Sequence, residues 1–469
     1  MDKRLRPDFI HRKAVTIKSR ILDSLITNRD KSFIHRYDWF LLGFLAVAAI
    51  SVKNSSDFYV GAFLWLKLVE FALFYFYLKM YAIRRFGFIG AFYALIIGGA
   101  FQAAIAIGQF LKQGDLGLRW LGESVFGPHM TGVASFFTLS NVEEFIDSGL
   151  KIIRAYGTTP HPNVLAAYLF LSIFAFYFIF IYQIRSGGHK HYDTMVYHSE
   201  RKFYDTMIYH KILKYWWVGV YPILLFGLFF TFSRTIIFLW GVGFLVIIAM
   251  NIWAGSKTLS PVDKRLRPDF IHRKAVIIKS RILDSLKTNR DKSFIHRVVA
   301  LVLVTFIVVG AFSFLYWPEV QSRMTLSSEE EAVQLRIFYN EESLKGGINL
   351  FGIGLGDFTG WLMEQNPNLP SYMYQPVHNI YLLVHKEIGI IGFALFLLFL
   401  IFILTNSFSK KVVGCWLLVV GILLIGLFDH FLLTLQQGRF VFWIALALLG
   451  ALAPSPNKRF SENDLEQTP

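Results

Sequence analysis

Four short polar stretches stand against a strongly apolar background, and each carries residue types that can do chemistry. In "TFSRTIIFLW", residues 231–240, Arg234 is flanked by Ser233 and Thr235. Together they present a compact set of guanidinium and hydroxyl donors suited to phosphate. An arginine near membrane depth costs on the order of several kcal/mol unless it is paired or hydrated, so it calls for a reason. The plain alternative is a tight turn between two short apolar runs. In "LRIFYNEESLKGGINLFGIGLGDF", 335–358, Arg336 begins a helical stretch and a glycine-rich loop follows. G-x-G-x-G alone suggests a nucleotide, but no strand precedes it, so the glycines read as a tight turn and close packing. Arg336 by itself could equally be a surface residue of the loop.

The other two stretches carry histidine and asparagine. "RAYGTTPHPNVLAAYL", 154–169, holds Gly157, Pro160 and Pro162, which exclude a regular helix and shape a turn. His161 and Asn163 sit at its lip. Asn163 is either the N-cap of the following helix or a substrate contact. In "YMYQPVHNIYLLVHKEIGIIG", 372–392, His378 and Asn379 come just before a long apolar run. A histidine there is an interfacial cap or a proton acceptor, and Glu387 orients the start of the span.

Those residues must be held by the elements around them. The chain has 469 residues, is 55% hydrophobic and 17% aromatic, includes 48 phenylalanines and has a mean hydropathy of +0.48. Soluble domains rarely combine such values, so the class is polytopic membrane protein. Apolar runs at roughly 38–52, 59–82, 87–112, 163–183, 215–232, 235–253, 298–316, 387–405, 412–430 and 437–453 predict about ten spans. The expected fold is all-α, a transmembrane helical bundle with a large helical outer loop. The single cysteine, Cys415, excludes a disulfide framework. Residues 1–36 are basic without a continuous apolar core, so we expect no cleavable signal peptide and a first span that serves as insertion signal.

Charge orients the bundle. With the N-terminus inside, the long inner tracts 1–36, 184–214 and 254–297 hold 10, 6 and 12 lysines and arginines, whereas the outer tracts 113–162 and 317–386 hold 3 and 4. This bias predicts both termini on the cytoplasmic side. The chain then divides into a basic cytoplasmic segment (1–36), spans one to six (37–253), a basic insert (254–297), span seven (298–316), a large outer loop (317–386), spans eight to ten (387–453) and a cytoplasmic tail (454–469). All four polar stretches fall at the outer face.

The basic tracts contain a repeat. Residues 2–36 recur at 263–297 with two differences, Thr16 against Ile277 and Ile26 against Lys287. Ile10, Ala14, Ile17, Ile21 and Leu25 fall on one helical stripe with lysine and arginine around it. One reading is a basic amphipathic helix on anionic inner-leaflet lipid; the other is a duplicated, solvated insert without chemistry. The apolar stripe disfavours nucleic acid as a partner.

The ordered set carries a resemblance. A G-T-x-x-x-P-N turn, "SR" between two spans, "R…GIGLGDF" in a large outer loop, "HNIYL…EIGIIG" and the late "FDHFLLTLQQGRFVFWIALALLG", 428–450, is similar to the O-antigen ligase family. That superfamily includes O-antigen polymerases and protein O-oligosaccharyltransferases of cell-envelope polysaccharide biosynthesis. The resemblance covers about residues 150–453. Asn349 stands where a proline often precedes the glycine-rich loop, and the basic inserts are not a family feature. It implies a bacterial inner-membrane, metal-independent inverting glycosyltransferase with no cofactor. The donor would be a glycan on a polyprenyl (undecaprenyl) diphosphate, and the acceptor a hydroxyl on a lipid, glycan or protein. Arg234 and Arg336 match the arginines that hold the diphosphate, and His378 matches the histidine that activates the acceptor. His161, Asn163 and Asn379 complete the expected substrate contacts.

The chemistry is coherent on physical grounds. Guanidinium groups bind a diphosphate bidentately and stabilise the charge that builds on it as it leaves. A neutral imidazole takes the acceptor proton. No Asp-x-Asp pair appears at the outer site, so we expect no metal. A transporter or flippase is the alternative from another class, but it would more often show inverted internal symmetry, and the only repeat here is cytoplasmic. A scaffold anchored by the basic repeats is a third reading, which deleting both copies would separate from an enzyme.

Overall fold

The computed structural model describes residues 34–138, 150–185, 206–257, 289–324, 331–407 and 413–452. The stripe from Ile10 to Leu25 and most of both basic copies lie outside the described residues. Each apolar run expected as a span contains a helix. Helix α1 covers Arg36–Ser51, α2 Phe58–Tyr77 with a π-helical turn at Leu78–Ala82, α3 Ile83–Lys112, α4 Pro162–Arg185, α5 Thr206–Phe230, α6 Arg234–Lys257 and α7 Asn289–Leu315. Three short helices follow: α8 Trp317–Met324, α9 Glu331–Leu344 and α10 Phe358–Gln365. The last four are α11 Ile380–Asn406, α12 Val413–Ile425, α13 Phe431–Thr434 and α14 Gln436–Leu452.

Five stretches are long and apolar enough to cross a bilayer by themselves: Phe58–Ala82, Arg85–Lys112, Pro162–Ile181, His296–Leu315 and Ile380–Asn406. They mark a multi-pass membrane protein. The other expected spans are shorter. The 13 residues of α12 reach about 20 Å at ~1.5 Å per residue, against a hydrocarbon core of about 30 Å. Sequence suggested that this run continued to residue 430, but the helix ends at Ile425 because its hydrogen bonds are diverted. The Gly426 carbonyl accepts from the Ile380 N–H of α11 at 2.8 Å, and Asp429 Oδ1 takes the His430 N–H at 2.8 Å.

Helix α4 is central, its side chains buried on nearly every side, with α3, α5, α12 and α14 around it. Gly227 of α5 lies against Ala103 of α3, so the two backbones approach as closely as small residues allow. At the end of the bundle away from the four polar stretches, Lys79 Nζ meets Asp38 Oδ2 at 2.6 Å, both fully buried, and Tyr75 donates to the same carboxylate at 2.9 Å. This pair joins α1 to the π-turn after α2, where an unpaired charge would be costly.

At the other end a clasp joins the glycine-rich loop to α11. Helix α11 kinks at Gly389, whose φ is +85°, and the loop crosses it at Gly352, φ +76°. A Cβ on either glycine would collide with the other strand's backbone. Ile353 and Gly354 donate to the Lys386 and Glu387 carbonyls at 3.0 and 3.2 Å. The glycines therefore serve close packing, as expected from the sequence. The Glu387 carboxylate accepts from the Phe358 N–H at 3.3 Å and ties the start of α10 to α11.

One small sheet departs from the all-helical expectation. Strand β1, Ser135–Thr138, pairs antiparallel with β2, Leu150–Ile153, in the register Ser135 with Ile153. Phe136 packs on Phe232 at 4.8 Å between ring centroids. The hairpin brings Arg154, which follows β2 directly, over the turn between α5 and α6.

Candidate functional site

The turn before α4 is shaped from α3. Gln109 Oε1 accepts from the Tyr156 and Gly157 N–H groups at 3.0 and 2.7 Å, and Gln102 Oε1 from the Thr158 N–H at 2.9 Å. Gly157 has a φ of +60°. His161, not Asn163, caps α4: its Nδ1 accepts the Asn163 N–H at 3.1 Å, and its carbonyl the Val164 N–H at 3.0 Å. In the neutral ring the proton therefore sits on Nε2, which makes His161 a donor there and not a base.

Asn163 is thereby free to bridge two charges. Its Oδ1 accepts from Arg154 Nη2 at 2.6 Å, and its Nδ2 donates to Asp429 Oδ2 at 2.7 Å. Arg154 Nε donates to the Thr231 carbonyl at 2.6 Å. Burial lowers the Arg154 pKa to about 9, so the group stays charged at neutral pH. The amide spacer keeps Arg154 from neutralising Asp429 directly.

These residues border one cavity of about 200 Å³. Arg154, Arg234, Arg323 and Arg336 line it, with Asp429 as the carboxylate. Asn163, Ser135, Ser233 and Thr235 add polar groups, and Ile236, Ile425 and Phe428 add an apolar side. Arg234 begins α6, whose first-turn amides have no carbonyl four residues back and so favour an anion. Arg336 comes from α9 and Arg323 from the end of α8, where it also lies 5.6 Å from the Phe136 ring centroid. Among the described lining residues, four guanidinium groups face one carboxylate.

His378 lies beside the cavity, across Asp429. Its ring stacks on Tyr339 at 5.6 Å and meets His430 edge-on at 4.9 Å. Burial lowers its pKa to about 4; Asp429 and the Pro376 carbonyl pull it upward, while His430 and Arg336 lower it. His161 is also lowered to about 4, first by burial and then by Arg154. Burial pushes Asp429 up, but the charge of His430, His378 and His161 where they are protonated, with the Asn163 amide, outweighs it and holds the carboxyl below its ordinary range. The site at neutral pH thus presents neutral imidazoles beside an ionised aspartate.

His430 is oriented as well. The Thr434 hydroxyl donates to the His430 carbonyl at 3.1 Å, so the 2.7 Å contact to Nδ1 is read as Nδ1–H donating to Thr434 Oγ1. That leaves a lone pair on Nε2. His378, Asp429 and His430 each offer a ligand atom, all within 4.8 Å of one another. Two histidines and a carboxylate form a set that divalent transition metals accept, but the nearby guanidinium charges oppose a dication. This set has no Asp-x-Asp signature in the sequence.

The structure therefore brings Arg234, Arg336, His161, Asn163 and His378 around one cavity and its border. Asn379 plays another part: its Oδ1 caps α11, accepting from the Tyr381 and Leu382 N–H groups at 2.9 and 3.2 Å. Sequence reasoning missed Arg154, Arg323, Asp429 and His430. Asp429 and His430 interrupt an apolar run, the same signal that singled out Arg234. No protein family, curated protein or solved structure matches the chain.

Asn163→Asp tests the spacer. Two carboxylates would then meet at hydrogen-bond distance, and one would hold a proton near neutral pH. Any activity that uses this cavity should fall by about tenfold or more, the effect of a one-unit pKa displacement, and gain a new inflection in its pH profile. An unchanged rate and profile would show that the bridge is dispensable.

Proposed function

We propose that the chain is an integral-membrane glycosyltransferase acting on a polyprenyl-diphosphate-linked glycan, in the manner of an O-antigen ligase. The observation that carries this reading is the cavity lined by four arginines and Asp429. A diphosphate diester carries about two negative charges and the released diphosphate about three. Guanidinium groups gain more from the released diphosphate than from the donor, which is the difference that accelerates a reaction.

In this reading the donor enters laterally, its diphosphate against Arg234 and Arg336 and its lipid toward Ile236, Ile425 and Phe428. The acceptor hydroxyl oxygen attacks the anomeric carbon from the side opposite the diphosphate. The carbon–oxygen bond to the diphosphate breaks, its electron pair goes to the diphosphate, and the acceptor proton goes to His378. The anomeric configuration inverts. Asp429 stabilises the imidazolium that forms. Ligases, polymerases and protein O-oligosaccharyltransferases share this donor half-site, with a lipid, glycan or protein hydroxyl as acceptor. The site would face the outside of a bacterial cytoplasmic membrane, with both termini cytoplasmic.

The test is transfer by the purified chain in lipid vesicles. A polyprenyl-diphosphate glycan and a hydroxyl acceptor are supplied with chelator present. Product that forms at an undiminished rate supports a metal-independent transferase. Loss of transfer on chelation, restored by a divalent cation, would move His378, Asp429 and His430 from base chemistry to metal ligation.

A further inference from the structure

We propose that the loop from Lys345 to Leu350, together with the outward face of α9, is embedded in the headgroup–acyl boundary of the bilayer leaflet next to the site. The sequence places this segment in the large outer loop, 317–386. Its side chains argue otherwise: Ile337, Leu344, Ile348 and Leu350 are 50, 60, 81 and 57% exposed. Ile337 and Leu344 lie seven residues apart on one face of α9, and Tyr339 and Phe338 of the same helix turn inward to pack with Phe358 and Leu362.

Depth follows from backbone contacts at both ends of the loop. Asn349 and Leu350 carbonyls accept from the Ile390 and Ile391 N–H groups at 3.0 and 3.4 Å. Ile390 and Ile391 open the straight apolar part of α11 that continues into the membrane. Leu350 is thus level with the first apolar turn of a span. Beyond it, Asn54 Nδ2 donates to the Gly352 carbonyl at 3.0 Å and Ser55 Oγ to the Leu355 carbonyl at 3.1 Å. Both belong to the turn before α2, another span, whose first turns expose Phe58, Tyr59 and Phe63. The loop's apolar residues therefore continue a lipid-facing belt between two spans, which identifies the occupant as phospholipid. The exposed Lys345, paired with the buried Glu342, supplies the polar edge such a boundary accepts.

Arg336 faces the cavity from the same helix. The anchor fixes that guanidinium at the depth of lipid-borne phosphate, and only this last consequence rests on the proposed function.

The experiment reads depth without donor or transfer. Ile348→Cys, made in a Cys415→Ala background, is labelled with a nitroxide and the protein placed in phospholipid nanodiscs. Collision with oxygen is compared with collision with a water-soluble nickel chelate. Phe63→Cys on α2 serves as the lipid reference and exposed Glu364→Cys as the water reference. The expected ratio of oxygen to nickel accessibility at residue 348 resembles that at Phe63→Cys, and Leu350→Cys gives the same result if the first variant folds poorly. A ratio like that at Glu364→Cys would overturn the proposal. Protection from both reagents would overturn it too, by showing a protein partner instead of lipid.

Discussion

Arg336→Ala and Arg234→Ala are each expected to lower glycan transfer by about 10²–10³-fold, the cost of removing one preorganised donor from a developing oxyanion. Both side chains line the cavity, and they reach it from α9 and α6, far apart in sequence. Arg154 holds the turns together, through Thr231 and Asn163. The alanine variants should therefore fold and insert normally while binding donor weakly. Lysine should restore only a small part of the loss at either position, because an ammonium keeps the charge but loses the planar fork. The measurement is transfer rate beside donor binding for each variant. Full rescue by lysine would reduce the arginines to a general positive field.

His378→Gln is expected to leave donor binding nearly intact and lower the chemical step by about 10²–10⁴-fold, the usual range for a positioned base. Glutamine can hydrogen-bond but cannot take a proton at neutral pH. The pH profile gives a second readout. The base must be neutral, so activity is present above the His378 pKa and lost below it. With that pKa lowered to about 4 by burial, kcat/KM should stay level through neutral pH and fall as pH drops through about 4. A bound diphosphate favours the imidazolium, so kcat should begin to fall at a higher pH than kcat/KM. Asp429→Asn removes a charge that raises the His378 pKa, and should move the kcat/KM inflection further into acid. A fully active His378→Gln protein would exclude the base role.

The apolar runs made the helices legible in sequence, because hydrocarbon demands a closed hydrogen-bond pattern along each one. Their ends were less legible. Helix α12 stops at Ile425 because Gly426 turns its carbonyl to Ile380, a partner 46 positions earlier that no local pattern reveals. The same event hid Asp429 and His430, which the hydropathy of residues 412–430 absorbed into a span. Arg234 and Arg336 stood out as charges against their surroundings, whereas Arg154 was overlooked inside a stretch chosen for its histidine and prolines. By residue type Asn163 is either a cap or a substrate contact. His161 took the capping role through its ring, since Pro162 occupies the first helical position and has no N–H to give. Strands β1 and β2 are four residues each, too short to show a period in sequence, and Phe136 packs on Phe232.

The proposed function requires the arginine-lined cavity to hold a lipid diphosphate. Its most direct test is equilibrium binding of polyprenyl diphosphate and polyprenyl monophosphate, of equal chain length, to the purified protein in nanodiscs with chelator present. Tighter binding of the diphosphate is expected, with the preference largely lost in Arg336→Ala. Equal affinity for the two lipids, or a preference that survives Arg336→Ala unchanged, would contradict it.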